Sequence, residues 1–236
     1  MAYQRYIWLP AGLLLALLLV IELTGLDLIL ADFIYQHTGP GWWRGFWPDQ
    51  VWHTGARRVS VALLLIILLT AVASCFIDRL KGCRRALFYT VISSGLAALT
   101  VASGKALSSQ ACPSDLLRYG GDLSYLPLLS MDTRDAGNCF PAGHASAGYG
   151  WFSLYFAGLA LKSRWRIFGV LMPMAAGAVF GIVQQFRGEH FLSHDLWTML
   201  ICWTVAALTA QLMLKGPDES GLQVTLASPR CRRQIP

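Results

Sequence analysis

The chain has 236 residues, of which 55% are hydrophobic and only 14% charged, where a soluble domain carries roughly 25% charge. With a mean hydropathy of +0.49, this balance excludes an ordinary soluble globule and points to an integral membrane protein. The net charge of +6 does not signal nucleic acid, because the basic residues lie beside apolar runs, where they set topology and meet anionic headgroups.

A hydrocarbon core of about 30 Å is crossed by roughly 20 apolar helical residues. Six such runs are expected, at about 7–26, 59–77, 86–106, 146–161, 167–186 and 196–214. The first follows Arg5 and resembles a signal peptide, but no small-residue cleavage site follows it and Glu22 and Asp27 come next, so it reads as an uncleaved span. Gly39 to Arg58 holds Trp42, Trp43, Trp47 and Trp52 with Arg44, Arg57 and Arg58, a mixture that anchors in the headgroup region; His53 within it reads as an interfacial polar residue. The fourth run, Ala145 to Leu161, is short and rich in glycine and aromatics, as expected of a span whose polar start faces a cavity. Residues 1–215 form one membrane-embedded domain. The tail, 216–236, ends in Arg230, Arg232 and Arg233 and is expected to be poorly ordered.

Orientation follows from lysine and arginine. With the N-terminus inside, the cytoplasmic segments hold Arg5, then Arg79, Lys81, Arg84 and Arg85, then Lys162, Arg164 and Arg166, then Lys215 and the tail arginines, twelve of the 19 basic residues. The positive-inside rule therefore places both termini in the cytoplasm. In a bacterial inner membrane the opposite face is periplasmic. Cys112 and Cys139 share the outer loop between the third and fourth spans, where an oxidising compartment permits a disulfide; two unpaired thiols are the alternative.

Three polar stretches fall on that outer face: Lys105 to Pro113, Phe140 to His144 and Arg187 to Asp195. The small-residue turn at Pro141-Ala142-Gly143-His144 opens a helix, so its backbone amides and dipole suit an anion, and Gly143 permits close approach. His144 exchanges a proton near neutral pH. The third stretch joins the fifth and sixth spans, with Ser193 or Asp195 expected to cap the second of these. Lys105 or Arg187 alone would be a snorkelling residue at a span end. Together with Arg118, the helix start and the histidines, they form a site suited to binding and transferring a phosphate.

The order of Lys105, then Pro141-Ala142-Gly143-His144, then an arginine ahead of His190 resembles the three-part signature of the type 2 phosphatidic acid phosphatase (PAP2-like) superfamily, over roughly residues 59–214. The resemblance implies an all-α, six-span bundle with an acid phosphatase/haloperoxidase-like core. It also carries departures. Where the family's first motif has arginine before proline, this chain has Cys112 before Pro113, and Arg118 is the expected substitute. The serine of the second motif is Ala142. In the third motif the arginine and aspartate positions, counted from His190, are Gln184 and His194, with Arg187 and Asp195 nearby; Gln184 and Arg187 share a helix face.

The mechanism implied is that of the family, without cofactor or metal. His190 is the expected nucleophile and His194 the alternative, and His144 is the general acid and base. Lys105, Arg187, Arg118 and the Gly143 amide bind phosphate oxygens, while Asp195, or else Glu189, orients His190. His190 and His194 have the spacing of helical zinc ligands, but the His-Glu-x-x-His pattern is absent, because Glu189 precedes His190. The expected partners are the bilayer and a membrane lipid phosphate or diphosphate. A lipid phosphotransferase and a non-catalytic anionic-lipid-binding protein are the other functions compatible with these residues.

Overall fold

A computed structural model describes residues 2–40, 42, 55–127 and 137–214. Among them the chain is helical, with no named strand. The helices are α1 (Ala2–Thr24), α2 (Leu26–Thr38), α3 (Ala56–Ala73), α4 (Arg84–Leu107), α5 (Gly143–Tyr149), α6 (Ser153–Ala160), α7 (Phe168–Phe186) and α8 (Leu192–Met213). Gly25, at φ +65°, separates α1 from α2, because a left-handed residue ends one helix and glycine adopts it without a Cβ penalty.

Among the described residues, four helical segments are long and apolar enough to cross a membrane: Ile7–Thr24, Asp78–Leu107, Arg164–Phe186 and Leu192–Met213. They coincide with the first, third, fifth and sixth of the expected runs. The second expected run forms α3, with Arg57 and Arg58 in its first turn. The expected fourth run is helical without a gap through α5, a 3-10 turn at Gly150–Phe152 and α6, and its Ala145, Phe152 and Phe156 are buried within the bundle. Residues 43–54 and the tail from 215 onward, including most of the aromatic loop, lie outside the described residues.

Helix α8 is central and packs on α1, α4 and α5. Ala206, Ala207 and Ala210 are fully buried along it, and small residues let neighbouring backbones approach without a water-driven collapse. Tyr89 Oη donates to the Ala206 carbonyl at 2.8 Å, and Trp203 Nε1 to the Ile7 carbonyl at 3.1 Å. Helices α5 and α7 touch more closely still: a Cβ on Gly148 would lie 2.2 Å from Gly177 N. Leu13, Leu23, Leu69, Leu171 and Leu212 stay exposed on the outside, as a lipid-facing surface requires. This packing brings the C-terminal ends of α4 and α7 and the first turns of α5 and α8 together at one end.

Candidate active site

That end gathers all three polar stretches. Gly137 N donates to the Ser109 carbonyl at 3.0 Å, Cys139 N to the Gln110 carbonyl at 2.9 Å, and Ser114 N to the Gly188 carbonyl at 2.9 Å. Cys112 and Cys139 are disulfide-linked, with Cα atoms 5.1 Å apart. The sulfur of Cys139 also abuts the Glu189 carbonyl at 2.7 Å. Cys112, in the position of the family-like motif arginine, thus ties the first stretch to the second and brings both against the third.

The third stretch is shaped by the end of α7. Gly188 has φ +71°, its N–H donates to the Gln185 carbonyl, and Glu189 N donates to the Gln184 carbonyl, each at 2.9 Å. This paired closure satisfies carbonyls that the helix end would leave bare, and it turns Glu189 and His190 into the bundle. Trp42 packs directly on Gly188, where a Cβ would meet its ring at 2.6 Å. Trp42 is therefore the described residue of the aromatic loop that lies beside the site.

The rings of His144 and His190 face each other with centroids 6.5 Å apart. His190 is 2% exposed, its Nδ1 is shut off from solvent, and the Cys139 backbone lies beside the ring. Burial, together with His194, Lys105 and His144, holds its pKa well below the ordinary imidazole range, because a buried ring resists gaining charge. His194, one turn along α8, has its centroid 6.0 Å from that of His190 and sits edge-on between Phe140 and Phe191, both at 5.4 Å. Among the described residues no group of three or more His, Cys, Asp or Glu is placed to hold a metal ion.

Two cations lie at this end of the bundle, and the charge of Lys105 acts on His190. Lys105, in the last turn of α4, passes over the start of α5, its Cδ 4.0 Å from where a Gly143 Cβ would stand. Arg187 is buried; its Nη1 donates to Gln184 Oε1 at 2.7 Å and its Nη2 lies 3.7 Å from Glu189 Oε1. Gln184, in the motif arginine position, therefore carries a guanidinium from one turn later. Glu189 attracts Lys105 as well, so one carboxylate faces both cations.

Three expected roles are corrected. Arg118 is not brought to the histidines: its Nε and Nη2 clasp Asp32 at 2.7 and 2.6 Å, and Tyr119 Oη donates to the same carboxylate at 2.9 Å. The guanidinium holds Asp32 below the usual carboxylate range, a bidentate pair that fixes α2 to the outer loop. Asp195 makes no hydrogen bond to His190; its Oδ2 accepts from Gln185 Nε2 at 2.6 Å, and its carboxylate fills the space left by Gly181. Neither Ser193 nor Asp195 caps α8. Asp27, from α2, accepts from Ser193 N at 2.9 Å, and burial raises its pKa despite that bond. Asp27 went unrecognised as a site residue, although a lone carboxylate just beyond an apolar span is itself a signal of use.

The family model of the PAP2 superfamily matches residues 85–217, more than half of the chain. No curated protein and no solved structure matches.

Proposed function

Because the chain belongs to the PAP2 superfamily, whose members are generally membrane phosphatases, we propose that it removes phosphate from a lipid phosphomonoester or diphosphate through a phosphohistidine. The observation that carries this reading is the facing pair His144 and His190, 6.5 Å between centroids, with Lys105 and Arg187 beside them. That separation puts a nucleophile and an acid of the proposed reaction within one site.

His190 is the nucleophile. Its low pKa keeps the imidazole neutral at pH 7, and its closed-off Nδ1 leaves Nε2 to attack. The Nε2–P bond forms as the P–O bond to the lipid breaks, and the departing oxygen takes a proton from His144. His144 then removes a proton from water, whose oxygen displaces His190 from phosphorus and releases inorganic phosphate. Lys105, Arg187 and the Gly143 amide hold the equatorial oxygens as charge shifts toward the leaving group. His194, boxed by aromatic rings, supports the His190 wall and does not attack. Asp195 holds Gln185 and so braces α7 against α8 behind the site.

An amphiphilic substrate suits a site at the end of a lipid-facing bundle, with acyl chains in the bilayer and the headgroup lifted into the cationic pocket. The lysine and arginine asymmetry supports a site open to the periplasm of a bacterial inner membrane, with cytoplasmic termini. The test is phosphate release from a panel of lipid phosphates by purified wild type, His144→Ala and His190→Ala. Equal release by all three would refute the site, and label passing from donor to a second lipid would identify a transferase.

A further inference from the structure

The opposite end of the bundle carries a second concave feature. Between α3, α4, α6 and α7 lies a groove of about 480 Å³, walled by Ile67, Leu87, Leu154, Ala157, Phe168 and Met172. Leu87 stands 18 residues before Lys105 on the same helix, about 27 Å away at 1.5 Å per residue. The groove is therefore no extension of the histidine site. Glycines allow its mouth to form. A Cβ on Gly158 would lie 2.9 Å from Arg166 Cβ, and one on Gly169 would lie 2.4 Å from Tyr155 N, so the α6–α7 connection folds tightly back and sets Trp165 and Arg166 at the rim.

The rim is strongly cationic. Residues 162–167 bring Lys162, Arg164 and Arg166 with no carboxylate among them, and Arg166 itself lines the groove. Arg164 lies over the Trp165 ring at 5.1 Å, and Lys162, Arg164 and Arg166 are all exposed. An apolar channel between membrane helices with the arginines of the 162–167 turn at its mouth is the complement of an anionic phospholipid, one chain in the groove and the phosphate on the arginines. A zwitterionic lipid fills the channel but leaves the charge uncompensated.

We propose that this groove is a binding site for one anionic glycerophospholipid of the adjoining leaflet, separate from the site of phosphate transfer and selected by Arg164 and Arg166. Native mass spectrometry of the purified full chain in detergent, titrated with phosphatidylglycerol or with phosphatidylcholine, tests this. The expected result is one saturable phosphatidylglycerol, bound roughly 10- to 30-fold more tightly than phosphatidylcholine, from about fivefold for each of two cations. Arg164→Gln/Arg166→Gln should bring the two lipids within about threefold while release of phosphate from a water-soluble ester is unchanged. Met172→Trp, which crowds the channel, should weaken both lipids. Equal affinities in the wild type, or a preference untouched by the double arginine variant, would overturn the proposal. So would displacement of the lipid by inorganic phosphate alone, which would mark a simple ion site.

Discussion

The Cys112–Cys139 bridge offers the sharpest test of how the site is held. It closes a loop with a sequence separation of 27, for which loop-closure entropy gives roughly 3 to 4 kcal/mol. That is a ceiling, because α4 and α5 already hold the two ends of the loop in one micelle. The bridge also positions chemistry: Cys139 is five residues before His144, and its sulfur touches the carbonyl of Glu189, the residue before His190. Releasing it loosens both histidines of the proposed site, and a displacement of about 1 Å costs on the order of 100-fold in rate. The expected outcome for Cys112→Ser/Cys139→Ser is unfolding several degrees below the wild type. Phosphate release should fall by about 100-fold at temperatures where both proteins remain folded. Thermal unfolding followed by tryptophan fluorescence, paired with phosphate release at 20 °C and below (roughly the most stable range), measures both. A double variant with wild-type unfolding temperature and wild-type turnover would show that the backbone bonds at Gly137, Cys139 and Ser114 suffice, and the positioning argument would fail.

The other expectations concern single residues. Arg187→Ala should lower kcat/KM by roughly 100- to 1000-fold, whereas Arg118→Ala should leave turnover nearly unchanged because its guanidinium is spent on Asp32; steady-state kinetics of the two side by side decide this. Asp27→Ala removes the acceptor for the first turn of α8 and should cost about 1 to 2 kcal/mol, seen as a lower unfolding temperature, with Asp27→Asn recovering part of the loss. His190 takes up its proton at lower pH in the folded protein than in the unfolded chain, whose value is 6.5. Its contribution to stability is thus complete above about pH 6.5 and is lost as pH falls toward the folded value. A pH–rate profile should keep full kcat/KM down through pH 6.5 on the acid side as far as His190 is concerned, and an acid limb that is set by His190 at 6.5 or above would contradict its burial.

Much of this site was legible in the linear chain because its chemistry is expensive. Lysine, arginine and histidine are rare in apolar helices unless they are used, so Lys105, His144, Arg187 and His190 stood out, and their order carried the family resemblance that the match over residues 85–217 established. Composition and the length of apolar runs likewise determined a helical membrane protein. Local detail was less legible: hydropathy alone does not register the 3-10 turn at Gly150–Phe152, nor the burial of α5 and α6 among their neighbours.

Tertiary structure decided the partners. Arg118 and Arg187 look equivalent as isolated cations, and only the approach of α2 gives Asp32 to the first while the reversal at Gly188 folds the second onto Gln184. Asp195 resembles an orienting carboxylate by spacing, yet Gln185 takes it because α7 and α8 meet at Gly181. Asp27 is far from His190 in sequence, and it reaches the helix bearing that site only because α2 returns across the end of the bundle. Sequence determines which groups are too polar to be idle in an apolar chain; packing decides which of them meet, since hydrogen bonds and ion pairs depend on separations of a few ångströms that chain order does not encode.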